Sequence, residues 1–154
     1  MNTESNNSAQ MSNDLIRQMI ENYRQNHLNA INSTLGIDDA HSIWFDLPKL
    51  KNFIATIEEE AKRVNPDCSE RDLGIRFYYA SYPSNADWNI MESHPVPMEY
   101  AGKHTLVMVP TSKGPNENGE ICDYDFNAVS TDGTCLGENN GTLIPPSLSF
   151  GESF

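Results

Sequence analysis

The segment Asp46 to Pro66, DLPKLKNFIATIEEEAKRVNP, constrains the fold more than any other. Asp46 is a strong N-cap, and Pro48 falls in the first turn, where its missing N–H costs nothing. Leu47, Leu50, Phe53, Ile54, Ile57, Ala61 and Val64 then form one apolar stripe at helical spacing. Lys49, Lys51, Glu58, Glu59 and Lys62 occupy the other face, and Asn65-Pro66 ends the pattern. A helix from 47 to 65 spans about 28 Å at 1.5 Å per residue, enough to cover a small sheet.

Other elements arrange themselves around it. The first residues, 1–11, are polar and small and are expected to form a disordered tail. Ser12 or Asn13 can cap a first helix whose stripe runs Leu15, Ile16, Met19, Ile20, Tyr23, His27, Ile31, with Gly36 placed to end it. Strand candidates are Ser42 to Phe45, residues 74–82 (GIRFYYASY), His104 to Pro110 (HTLVMVP) and, more weakly, 121–129. TLIPP adds a few extended residues before a tail at 147–154. Residues 84–103 read as an ordered but irregular excursion, and TSKGPNENGE as a turn-rich loop. The expected fold is a single α+β domain over 12–146: a sheet of about four strands, mixed or antiparallel, packed on one face by two amphipathic helices. The strand–helix–strand unit around the long helix is a candidate right-handed crossover.

Alternation along the strands divides their side chains. Ile75, Phe77 and Tyr79 suit the helices, whereas Arg76, Tyr78, Ala80 and Tyr82 form an aromatic face with a permanent charge. In the first strand Trp44 opposes Ile43 and Phe45. In the third, Thr105, Val107 and Val109 oppose His104, Leu106 and Met108. Trp44, Arg76, Tyr78, Tyr82 and His104 are the candidate ligand- or partner-binding residues, conjectured to share one face. Arginine among tyrosines can grip a carboxylate or phosphate while the rings supply contact area.

Charge narrows the partners. Ten Lys and Arg stand against 22 Asp and Glu, a net charge of −12. Such a surface repels nucleic acid and anionic lipid. A basic protein partner or an anionic small ligand at Arg76 remains open. No apolar run reaches the length of a membrane span. The N-terminal stretch has no secretory pattern, and the three cysteines, Cys68, Cys122 and Cys135, read as free thiols, so the cytoplasm is expected.

Chemical motifs are sparse. Asp123, Asp125 and Asn127 alternate like calcium ligands, but Ala128 and Thr134 stand where an EF-hand loop needs glycine and glutamate. The four histidines, His27, His41, His94 and His104, lack paired spacing, so neither a metal nor a cofactor is expected. No nucleophile elbow or phosphate-binding loop is present. Adjacent Glu58, Glu59 and Glu60 point in different directions on a helix and form a solvated surface.

The blocks IWFDLPKLKNFI, GIRFYYASYP, HTLVMVPT and GTLIPP together resemble a family of small bacterial proteins without a known function. That resemblance covers roughly 42 to 146 and implies a bacterial cytoplasmic domain, with no catalytic residue to transfer. The expected function is a non-enzymatic binding or protein-interaction module using the Arg76 face. One version is an acidic protein that neutralises a basic partner. The alternative is a small enzyme in which Arg76 fixes an anionic substrate and His104 and Tyr78 move protons.

Overall fold

The structure, a computed structural model, describes residues 10–126, 136–147 and 151–154. The chain begins with α1 (Asn13–Tyr23), a π turn (Arg24–Leu28) and α2 (Asn29–Leu35), which run on as one helical rod. Ser12 caps it by accepting the Leu15 N–H, and Gly36 ends it in the left-handed region, at φ 64°. The rod does not pack as the second helix of the layer. Leu28 is its one buried residue among those described, while Leu15 and Met19 lie exposed. The π turn explains why the expected stripe fails at His27: a wider turn adds a residue, so Leu28 continues the inward line from Tyr23.

The long helix, α3 (Leu47–Val64), forms as its sequence requires. Asp46 accepts the Lys49 N–H at 2.7 Å, and Pro48 sits in the first turn. Phe53, Ile57 and Ala61 are buried. Phe53 and Ile57 meet Met108, with Leu50, Leu73, Ile75 and Leu136 around them.

Among the described residues five strands, where about four are expected, form two antiparallel sheets. β2 (Leu73–Ser81), β3 (His104–Pro115) and β4 (Ile121–Asp125) make a meander with β3 central. β1 (Ser42–Trp44) pairs instead with β5 (Thr142–Ile144). The expected crossover around α3 is therefore absent, because the strands flanking that helix belong to different sheets. β3 also outruns its expected end at Pro110. The Pro110 carbonyl accepts the Phe126 N–H, so the strand continues past a residue that has no donor of its own. The strand expected over 121–129 is described only to Phe126, and positions 127–129 lie outside the described residues, as do Thr134, Cys135 and most of the N-terminal tail.

A second core gathers at the other end of β2. Ala40, Tyr82, Tyr100 and Leu143 are buried together, packed by Ile43, Trp88, Met91 and Val96. Two 3-10 turns, Asn85–Met91 and Met98–Tyr100, order the excursion that supplies Tyr100, Trp88, Met91 and Val96. No helix among the described residues is long and apolar enough to cross a membrane.

Candidate functional site

Register decides which side chains meet. Arg76, Tyr78 and Ala80 lie opposite Val109, Val107 and Thr105, whereas His104 lies opposite Ser81. Directly paired residues share a face. His104 therefore stands with Phe77, Tyr79 and Leu106, on the reverse of the sheet from Arg76 and Tyr78. The conjectured common face is corrected on this point. Trp44 is farther removed, on β1 of the other sheet, and is 59% exposed. Tyr82 is buried against Tyr100 and Trp88, and its hydroxyl donates to Asn139 Oδ1 at 2.8 Å.

The Arg76 face remains open, but its cation is already engaged. Nη1 of Arg76 donates to Asp125 Oδ1 at 2.5 Å, and Nη2 donates to the Asp123 carbonyl at 3.0 Å. Tyr78 donates its hydroxyl to the second Asp125 oxygen. Lys113 pairs with Asp123 at 2.9 Å on the same side. An incoming anion would have to compete with carboxylates two strands away, so this face is poorly prepared to grip one.

The reverse side holds a more distinctive arrangement. Between the α1–α2 rod, β1 and the β2–β3 pair lies a largely apolar cleft of about 700 Å³. Tyr23, His27 and Ile31 line it from the rod, and His41, Ser42 and Ile43 from β1 and its lead-in. Tyr79, His104 and Leu106 complete the sheet side. Three of the chain's four histidines thus converge on one space.

Asp39 anchors this cleft. It is 2% exposed, and its Oδ1 accepts the backbone N–H of Ala40 at 2.9 Å and of His104 at 2.8 Å. Its Oδ2 lies 2.5 Å from His104 Nδ1. A carboxylate at Nδ1 holds the proton there and leaves Nε2 as the acceptor of the neutral ring. The Tyr23 hydroxyl lies nearly equidistant from the two ring nitrogens, 3.3 Å from Nε2 and 3.5 Å from Nδ1. Burial, with the Asp39 charge second, raises the Tyr23 pKa above its ordinary 10.0, so the phenol stays protonated. His27 stacks on the Tyr23 ring, with centroids 5.8 Å apart.

Two further buried polar atoms in the lining, Ser42 Oγ and His41 Nδ1, have no hydrogen-bond partner among the described residues. The nearest ionic group to His41 Nδ1 is Glu152, at 3.5 Å. Unpaired buried polar atoms cost free energy and call for an explanation. Asp39, His41 and Ser42 are close in the sequence, but nothing in it announces that Tyr23 from the rod and His104 from β3 converge on them. The clustering of histidines was the one signal on offer, and it needs the fold to be seen. Among the described residues no group of three His, Cys, Asp or Glu side chains is placed to hold a metal ion. A scan against protein-family models and searches of curated proteins and of solved structures find no match, so geometry alone defines the site.

Proposed function

We propose that the chain is a non-enzymatic binding protein whose site is the His104 cleft, taking a small neutral ligand with an apolar ring and one hydroxyl. The carrying observation is the Asp39–His104 pair fixed in an apolar lining that also contains the buried Ser42 Oγ, which has no hydrogen-bond partner among the described residues. Cavities of this size that combine apolar walls with a few polar groups are the usual form of small-molecule sites. A neutral ligand fits better than an anion. The lining has no Lys or Arg, the Asp39 carboxylate stands behind His104, and the whole chain carries −12. The cytoplasm is the proposed setting, in keeping with the unbridged thiols of Cys68 and Cys122.

The test is para-cresol at millimolar concentration, followed by NMR of the histidine rings. His27, His41 and His104 line the cleft, whereas His94 does not, and serves as an internal control. The three lining signals should move together while His94 stays still, and benzoate should do less than para-cresol. Equal responses from all four rings, or none, defeat the reading.

The Asp39–His104 pair also favours a second reading, as a general base oriented by a carboxylate. Arg76 and Tyr78, the other members of the expected catalytic trio, belong to the opposite face. Ser42 Oγ has no hydrogen bond to His104, so no nucleophilic triad is assembled. Catalysis here would require the substrate to displace the Tyr23 hydroxyl from Nε2. Under this reading His104→Gln retains para-cresol binding and loses turnover of the true substrate. Under the binding reading no turnover is found with the wild-type chain.

A further inference from the structure

β2 forms one outer edge of the three-stranded sheet. Its nine residues pair one to one with β3, from Leu73 opposite Ser112 to Ser81 opposite His104, with no bulge. Tyr82 donates its N–H to Lys103 across that ladder. Backbone direction alternates along an antiparallel strand. Tyr82 and the even-numbered residues before it therefore turn their N–H and C=O groups toward β3. Leu73, Ile75, Phe77, Tyr79 and Ser81 turn theirs outward. Consistent with this, Met108, opposite Phe77, exchanges both backbone bonds with Glu138 on the far side of β3. Among the described residues the Leu73 N–H is met by the Glu70 carbonyl, and no backbone or side-chain group meets the outward groups of Ile75, Phe77, Tyr79 and Ser81.

An open edge of this kind is normally protected by lysine, proline, a bulge or a cover. β2 has neither lysine nor proline, and its side chains near the edge are conspicuously apolar. Phe77 is 55% exposed, Tyr78 43% and Tyr79 93%. We infer that β2 pairs antiparallel with β2 of a second copy of this chain, about a twofold axis through Phe77. In that register Phe77 meets Phe77 of the other copy, Ile75 meets Tyr79, and Arg76 meets Tyr78. The contacts at Phe77, Ile75 and Tyr79 are apolar against apolar on one face, while on the other Arg76 and Tyr78 of each copy stay turned to their own Asp125. β2 carries no acidic residue, and this register keeps the two Arg76 side chains from facing one another. A slip of the axis to Arg76 would oppose the two cations, which specifies the pairing. Tyr79 also walls the His104 cleft, so the second copy's Ile75 completes that wall; the inference stands independently of what the cleft binds.

The interface is small. A few aromatic rings bury on the order of several hundred Å², which places it among weak assemblies, with dissociation on the order of 10–100 µM. The two copies carry −12 each, so added salt strengthens the dimer by screening their repulsion.

The experiment is sedimentation equilibrium of the full chain at about 0.5 mM, above that range, with amide hydrogen exchange under the same conditions. The expected result is a dimer in which the Ile75, Phe77 and Tyr79 amides are protected. Tyr79→Lys, at a position that contributes nothing to the monomer core, should weaken association about tenfold or more and release those amides. Phe77→Lys repeats the test at the axis, with circular dichroism confirming that each variant is folded. A monomer at that concentration overturns the inference. So does a dimer whose three amides exchange freely, or one that neither variant weakens, because association would then use another surface.

Discussion

Asp39 is the residue on which the candidate site most depends. Its two oxygens serve two backbone donors and a histidine ring from a buried position, and its own N–H is held by Asn32 Oδ1 at 2.8 Å. Asp39→Ala leaves those donors unpaired and should cost about 2–4 kcal/mol, read as a lowered urea midpoint at unchanged slope. Gly141 is critical for a different reason. A β-carbon there would collide with Ile43 Cγ2 and sit 2.7 Å from the Phe45 ring. Gly141→Ala is therefore expected to destabilise by about 1–3 kcal/mol through overpacking, measurable by the same denaturation. Arg76→Ala should leave the urea midpoint nearly unchanged, since its ion pair is solvent-exposed.

Among the elements, α3 was legible in its bounds and its cap, although Leu47, Ile54 and Val64 of its expected stripe lie exposed. Local signals decide a helix that has a cap, a proline in the first turn and a clean stripe, and all three act within a few residues. Asp46→Ala removes the bond to the Lys49 N–H and should lower stability by about 1 kcal/mol, visible as an earlier thermal unfolding transition. The α1–α2 rod was legible only as a helix. Its caps at Ser12 and Gly36 are local, but the π turn that brings Leu28 inward is selected by what the rod packs against. Deleting Asn26 should convert that turn to α geometry while keeping the rod beyond it in phase, with Leu28 then four residues after Tyr23 and still inward. Ile31 would stay in the cleft, and the shifts of His41 and His104 caused by para-cresol should persist; their loss would show that the turn holds the cleft open. In β3 the stop at Pro110 misled because a missing donor matters only where a partner needs it, and here the Phe126 N–H meets the carbonyl instead.

For the whole molecule, two small cores rather than one continuous layer hold the chain together. Buried phenols make the fold sensitive to alkali. Burial raises the Tyr82 pKa above 10.0, with hydrogen bonding to Thr105 and Asn139 acting against it, and burial raises that of Tyr23. A raised folded-state pKa gives a stability that is complete below about pH 10, the ordinary tyrosine value, and is lost as pH climbs through the higher folded value. Denaturant midpoints should therefore fall as pH rises above about 10. Tyr23→Phe should flatten that fall, because it removes a group that must ionise from a partly buried place. An unchanged slope would show that the alkaline loss arises elsewhere.

The sequence by itself determined the helices, the caps and the acidic balance, since each depends on neighbours a few positions apart; the expected burial of Phe77 and Tyr79 beneath helices fails, both lying exposed. Tertiary structure alone decided which strands pair, that Arg76 and His104 occupy opposite faces, and that Asp39, Tyr23 and His104 come together. The physical reason is range. Periodicity specifies which side of an element a residue occupies, but a one-residue difference in register exchanges faces, and register is fixed by contacts between segments remote in the chain.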